Sequence, residues 1–315
     1  MKRHFVRLFG CCAAVLLCCT GFNGPVRRFS ADGKRLIVLE DAAEFCRWEI
    51  FPESAAADSL ELVSQKHGLL LTAGSRKVLA DGVLFYLREP VRCFPDGTWV
   101  AGETDWKEFL TPLLEDSGIP PSPVRKVVID AGHGGGDSGA AHEDLQEKSV
   151  NLDLALRVAE RLRKQGLTVE LTRGDDRFVS LDGRADRVRI ANADLFLSIH
   201  QNAAEQENAE GTEIYFSRDN RYCDASIRLA QNIQSGIAWV LGESEEEFRD
   251  RGVRQGNFWV LRKADCPAAL LECGFISNPA ERKRMTRSDY LERLADGIAS
   301  GIAGYVKRDI RERLR

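Results

Sequence analysis

The sequence predicts an α/β protein: a twisted, mainly parallel sheet flanked by helices on both faces, preceded by a small β-rich N-terminal domain. Three observations carry this prediction. Downstream of residue 125, extended apolar runs alternate with stripes of helical period. Upstream, short runs of alternating polarity are separated by turn residues. Between the two, Gly118-Ile119-Pro120-Pro121-Ser122-Pro123 sets three prolines within four residues, a composition that neither a helix nor a central strand accepts. A length of 315 residues accommodates two such units, and 43% hydrophobic content is enough to pack both.

The first residues read as a secretory signal over residues 1–25. Lys2, Arg3 and Arg7 precede the apolar run Ala13-Ala14-Val15-Leu16-Leu17, and small residues with Gly21 follow. This run is shorter than the ~18 residues that a membrane-spanning helix requires, so export to the periplasm or cell envelope is expected. Cys11, Cys12, Cys18 and Cys19 lie in the leader, which raises a lipid-modified terminus as the alternative. Leu16-Leu17-Cys18-Cys19 lacks the small residue expected before a lipidated cysteine, and cleavage is preferred. The formal charge of −4 gives no basic footprint, so nucleic acid is not an expected partner. Outside the leader, Cys46, Cys93, Cys223, Cys266 and Cys273 show no CxxC spacing and are expected as buried free thiols.

Residues 29–117 form the expected β-rich module. Its strands are read at 35–39, 68–72 and 83–87, separated by Asp-Gly, Ala-Gly-Ser and Pro-Asp-Gly turns. Short helices are expected at 41–48 and 106–114, the second carrying Trp106, Phe109, Leu110 and Leu113 on one face. Residues 69–114 resemble the copper-amine-oxidase-like module that precedes many exported bacterial enzymes, which implies a binding or spacing role. His67 is expected at the surface. After the linker at 118–124 comes a domain over 125–310. Its strands are read at 126–130, 167–172 and 194–200, its helices at 147–165, 181–191 and 288–306. Val150, Leu154, Val158 and Leu162 recur every four residues in the first of these helices, and Gly166 stops it.

The chemistry concentrates at four positions. Val127-Val128-Ile129-Asp130-Ala131-Gly132-His133-Gly134-Gly135 runs a buried strand into a histidine between glycines, where the backbone can turn and leave the imidazole accessible. His200 ends another apolar strand, and Glu147 opens the first helix. Two imidazoles and one carboxylate make a three-ligand zinc site that leaves a position for water, and carboxyl ends of parallel strands are where such sites form. Glu272, closing the apolar run Pro267-Ala268-Ala269-Leu270-Leu271, is costly there unless paired or functional; beside a metal it suits a general base and then general acid. An acid in a helix's first turn also complements the dipole, and Glu147 rises above that ordinary role through its place between the two histidines.

Residues 125–308 resemble the zinc-dependent N-acetylmuramoyl-L-alanine amidases of the amidase-3 type. The resemblance rests on Asp130-Ala131-Gly132-His133-Gly134-Gly135 with Asp137-Ser138-Gly139-Ala140, on Glu147-Lys148-Ser149-Val150-Asn151-Leu152, and on Leu171-Thr172-Arg173. It continues through Ser198-Ile199-His200-Gln201-Asn202-Ala203, Gly211-Thr212-Glu213 and Leu271-Glu272-Cys273-Gly274-Phe275-Ile276-Ser277-Asn278. It implies one Zn2+ ion held by His133, Glu147 and His200, with Glu272 as the catalytic carboxylate. It also implies peptidoglycan as substrate, cleaved at the amide between the lactyl group of N-acetylmuramic acid and L-alanine. An activator protein and a monomeric state complete the expectation. Two alternatives stand beside it: a catalytically silent muropeptide-binding protein, and a zinc peptidase cutting within the stem peptide.

Other polar residues compete for roles. His142, five residues before Glu147, is the rival ligand, expected instead to face solvent or substrate. Asn202 is the candidate substrate contact, with Asn278 a second polar side chain open to either substrate binding or an Asx turn. Arg173, after a strand, is open to contact with a stem-peptide carboxylate or to pairing with Asp175 or Asp176 in a surface loop. Cys273 should point away from Glu272, because neighbours on a strand face opposite ways. The acidic run 243–247 is read as a solvated face, with autoinhibition as the alternative.

Overall fold

The computed structural model describes residues 26–52, 58–64, 67–80, 83–111, 123–142, 144–242 and 248–313. The signal segment, most of the proline linker and the acidic run 243–247 therefore lie outside the described residues. Contacts gather the chain into two units, residues up to 81 with Glu89–Leu114, and Gly82–Arg88 with Glu115–Arg315.

The first unit is antiparallel. Strands Arg28–Ala31, Lys34–Val38, Arg92–Cys93 and Trp99–Gly102 form one sheet, and Glu49–Pro52, Ser59–Val63, Gly68–Thr72 and Lys77–Ala80 run as a meander in another. Alternation explains the meander: Leu60, Leu62, Leu69, Leu71, Val78 and Ala80 are buried on one face. The helix expected at 41–48 runs Leu39–Cys46, ended by Arg47 in the left-handed region at φ 59°. The one expected at 106–114 begins earlier, at Glu103–Asp105, and widens into a π-turn at Trp106–Leu110. His67 is buried at 6% exposure, not at the surface, because its backbone closes a turn with Ser64.

The second unit holds the site. Its strands are β1 (Lys126–Ala131), β2 (Thr168–Leu171), β3 (Leu195–Asn202), β4 (Thr212–Phe216), β5 (Asp250–Gln255) and β6 (Ala268–Phe275). Their order is β2-β1-β3-β6-β4-β5, parallel throughout except for β4 against β6. The helices are α1 (Glu147–Lys164), α2 (Leu181–Ala191), α3 (Cys223–Leu241), α4 (Trp259–Lys263), α5 (Pro279–Met285) and α6 (Ser288–Arg313).

Helices α1, α3 and α6 pack together on one face. The stripe Val150, Leu154, Ala155, Val158, Ala159 and Leu162 of α1 is buried as its four-residue period requires. Truncating Leu154, which is wholly buried, would cost about 2–5 kcal/mol. Helices α3 and α6 meet at glycines: a Cβ on Gly236 would lie 2.4 Å from the Gly297 carbonyl, and one on Gly301 2.5 Å from the Asn232 carbonyl. The opposite face is covered by α2 and α4, where Val128, Val188, Phe196, Val260, Leu261 and Leu270 share a core.

Two strands outrun their expected ends. β3 continues past His200 to Asn202 with an irregularity between them, and β6 continues past Glu272 to Phe275, so Glu272 stands within its strand instead of closing it. The cause is pairing: Asn202 lies opposite Phe275, which extends the ladder beyond both functional residues.

Candidate metal and catalytic site

His133 follows β1 in a strained conformation. Its φ is 61°, a left-handed value that side chains other than glycine adopt only when the surroundings enforce it. Two arginines do so. Arg184, from α2, donates to the His133 carbonyl at 2.7 Å, to the Ala131 carbonyl at 2.7 Å and to Asp130 Oδ1 at 2.6 Å. Arg173 donates to the carbonyls of Ala131, Gly132 and Lys148 at 2.9, 2.8 and 2.8 Å.

These bonds satisfy carbonyls that the end of β1 would otherwise bury unpaired. Asp130 also accepts from Thr172 and Ser198 at 2.6 and 2.7 Å, so the strand end is locked from three sides. The surface-loop reading of Arg173 is corrected here: the side chain is wholly buried, and its contact with Asp175 is to the backbone carbonyl.

Three donors converge on one point. His133 Nε2 lies 3.2 Å from Glu147 Oε2, and His200 Nδ1 lies 2.9 Å from Glu147 Oε1. The two imidazoles meet edge to face with centroids 4.9 Å apart, and one donor atom from each residue falls within 4.8 Å of the others. A tetrahedral zinc with ligands at about 2.0–2.1 Å spaces neighbouring donors by about 3.4 Å, so the group is of the right size.

Other features fit as well. His133 Nδ1 is 2.9 Å from Asp137 Oδ2, which fixes the ring and turns Nε2 toward the group, the carboxylate support typical of metal-bound histidines. Glu147 is buried and receives the Ala140 and Gln201 amides and the Asn151 side chain. The cradle is tight: a Cβ on Gly132 would sit 2.3 Å from the His200 ring, and one on Gly139 would sit 2.5 Å from both Glu147 Oε2 and the His133 ring.

The charges follow from this geometry. Hydrogen bonding to Glu147 pushes the His133 imidazole up to about 9, against its burial and with help from Asp137. Burial would raise Glu147, but its bonds to both histidines outweigh burial and hold it well below the usual carboxylate range. A deprotonated Glu147 and two ring nitrogens facing it are what a divalent cation would replace protons on.

Glu272 stands beside this group. It is directly opposite His200 across the β3–β6 ladder and opposite Glu213 across the β6–β4 ladder, so the three side chains share one face. Its Oε2 is buried, and among the described residues no hydrogen bond reaches it. Burial pushes its carboxyl up to about 7; His200 opposes, while Glu147 and Glu213 add to the rise. Glu213, by contrast, is saturated: Asn202 and the Tyr215 hydroxyl donate to Oε1 at 2.7 Å each, and Arg251 and Arg254 pair with Oε2 at 2.8 and 3.2 Å.

The remaining candidates separate by position. The Asn202 amide nitrogen serves Glu213, and its oxygen accepts the Ala203 amide at 2.8 Å. Asn278 caps α5 by accepting the amides of Ala280 and Glu281, so its bonds hold a loop. His142 lies on a two-residue ladder with Leu145 and is not part of the three-residue donor group. Cys273 and Cys266 are buried, whereas Cys93 is exposed and Cys46 and Cys223 partly so; the expectation of buried thiols fails for these three. Sequence reasoning missed Asp137, Arg184, Glu213 and Arg251. Asp137 and Glu213 stand in the motifs that carry the resemblance but had no role assigned, and a polar residue in a loop or strand does not reveal a partner far along the chain.

The fold and the donor group place the chain among hydrolases built on an α/β sheet with a candidate metal centre. Residues 127–304 match the N-acetylmuramoyl-L-alanine amidase family, and the chain belongs to that family. It is 40% identical over 182 residues to N-acetylmuramoyl-L-alanine amidase LytC of Bacillus subtilis, covering 58% of this chain and 35% of that protein. Among solved structures it is similar to the catalytic domain of CwlV, an N-acetylmuramoyl-L-alanine amidase from Paenibacillus polymyxa var. colistinus. That match has 39% identity and a TM-score of 0.54, over 58% of this chain and 99% of that one. It is also similar to the CwlD amidase of Clostridioides difficile, solved in complex with the GerS lipoprotein, at 31% identity and a TM-score of 0.54, covering 58% and 99%.

Proposed function

We propose that this protein is an exported enzyme that hydrolyses the amide between the lactyl group of N-acetylmuramic acid and L-alanine in peptidoglycan. In this reading one zinc ion is held by His133, Glu147 and His200, and Glu272 is the catalytic carboxylate. The observation that carries it is the convergence of those three donors within 4.8 Å of one another beside a buried, unpaired carboxylate oxygen. Family membership supports the bond and the substrate. The basic and apolar leader supports an envelope location, and the β-rich module at 29–117 would position the enzyme on the wall.

When bound, zinc supplies Lewis acidity toward the scissile carbonyl and the attacking water. The protein does the rest. Asp137 keeps His133 Nε2 directed at the group, and Arg173 and Arg184 hold the loop that carries it. Glu272, raised toward neutrality by burial, takes a proton from the water and passes it to the departing alanine nitrogen; a group that must do both works best with a proton affinity near the working pH. Asn202, already bonded to Glu213 and Ala203, meets substrate by exchanging one of those bonds. The lipoprotein partner of the CwlD neighbour motivates a similar accessory protein here, with the chain itself acting as a monomer.

The test is digestion of purified peptidoglycan with zinc-loaded protein and separation of the products. Free stem peptides beginning with L-alanine, together with intact glycan strands, are expected. Peptides with other termini would make the chain a peptidase, and release of nothing would make it a binding protein.

A further inference from the structure

The cleft that holds His133, His200 and Glu272 has a volume of about 350 Å³, and its two flanks differ in chemistry. On one flank stand Phe178, Leu181 and Trp259, exposed by 60%, 57% and 36%. They come from the turn before α2, the first residue of α2 and the first residue of α4. Large apolar side chains left in water at the mouth of a site mark a binding surface in a way that scattered ones do not. Beyond Glu272 on the other side, β4 and β5 carry Glu213 with the partly exposed guanidinium groups of Arg251 and Arg254. There two guanidinium groups share one carboxylate.

On the apolar flank the Trp259 ring is held in place. Trp259 Nε1 donates to Asp182 Oδ1 at 2.8 Å, and the cations of Arg262 and Lys263 lie 5.2 and 4.8 Å from the ring centroid. Its neighbour Phe258 packs edge to face on Tyr215 at 5.1 Å, where the Tyr215 hydroxyl bonds Glu213. Side chains fixed before a ligand arrives lose little freedom on binding it.

We propose that Phe178, Leu181 and Trp259 form the subsite for the muramoyl sugar of the substrate, with Asp182 as the positioning residue for Trp259 and the stem peptide running toward Arg251 and Arg254. This rests on the amidase reading. With its carboxyl tied up in the scissile amide, the muramoyl unit is uncharged. It presents a C–H ring face, an acetamido methyl and a lactyl methyl, which suit an apolar wall. The stem peptide carries free carboxylates, which suit the two guanidinium groups. The two flanks thus fix the direction in which the substrate lies across Glu272 and the metal donors.

Two soluble compounds with the same scissile amide test this: N-acetylmuramoyl-L-alanyl-D-isoglutamine, and lactoyl-L-alanyl-D-isoglutamine without the sugar. The zinc-loaded full chain should prefer the first by kcat/KM. Phe178→Ala combined with Trp259→Ala should cut that preference by about tenfold or more, mainly through KM. Phe178→Ala alone, at an exposed position, guards against misfolding and should give part of the effect. Asp182→Ala should also lower the preference, and Asp182→Asn, which keeps an acceptor oxygen, should restore it. Cleavage of both compounds with the same ratio in wild type and variants overturns the subsite alone, as does an equal loss on both. Cleavage of neither by the wild type sinks the amidase reading and this proposal with it.

Discussion

Glu272→Gln should make the metal-free protein more stable at neutral pH while abolishing turnover. Burial moves the Glu272 carboxyl from 4.5 to about 7 in the fold. Between those values the unfolded chain has released the proton that the folded chain still holds, so stability falls as pH rises and the loss is complete above about 7. At about 1.4 kcal/mol for each tenfold change in proton affinity, the loss amounts to about 3 kcal/mol. Glutamine keeps the shape and cannot ionise, so it escapes that loss. Urea unfolding in the presence of a chelator should show the variant and wild type nearly equal near pH 4. Near pH 8 the variant's midpoint should be higher by about 1 M, taking a slope of about 3 kcal/mol/M. A variant no more stable than wild type near pH 8 would contradict this, because the Glu272 oxygen would then be solvated or paired. The same variant should bind zinc and release no peptide.

Three further outcomes follow from the site. His200→Ala should purify with almost no zinc where the wild type holds about one ion per chain, and stoichiometric metal in that variant, by elemental analysis, would contradict the ligand assignment. In chelated protein, the stability that His133 gains from Glu147 is present below its unfolded value near 6.5 and lost as pH rises through about 9. The stability difference between wild type and His133→Asn should therefore shrink over that interval, while zinc affinity, measured by competition, tightens as the proton leaves; a difference that grows with pH would contradict this. Arg184→Leu leaves Asp130, at 0% exposure, a buried carboxylate without its ion-pair partner, held only by the Thr172 and Ser198 hydroxyls, and should destabilise by about 3–5 kcal/mol in denaturant unfolding. A change below about 1 kcal/mol would show that Asp130 is otherwise satisfied.

Local pattern made much of the fold legible. The stripe of α1 and the runs of β1 and β3 fall where their periods put them, because burial of one helix face or of a whole central strand leaves a direct mark in composition. His133, Glu147 and His200 were readable for a related reason: each marks a break between an apolar element and a polar turn. Strand ends were less readable, since the extension of β3 and β6 depends on Asn202 meeting Phe275 across more than seventy residues.

The support around the site was the hidden part. Arg173 sits beside Asp175 and Asp176 in sequence, and only the fold shows its side chain turned inward to the backbone carbonyls of Ala131 and Gly132 at the end of β1. Asn202 looks free two residues past a ligand, yet its amide is drawn to Glu213 by the irregular register that follows His200. Such bonds join side chains to groups distant in the chain, and a carbonyl acceptor has no residue type that could announce it.

The bond cleaved separates an amidase from a peptidase or a glycan-cutting enzyme most directly. Peptidoglycan digested by the zinc-loaded protein in 18O-labelled water, with products analysed by mass spectrometry, locates that bond without reference to any variant. One labelled oxygen is expected in the lactyl carboxylate of the muramic acid, with an unlabelled free amine on L-alanine. Label in a carboxylate within the stem peptide, or in the reducing end of a glycan fragment, would contradict it.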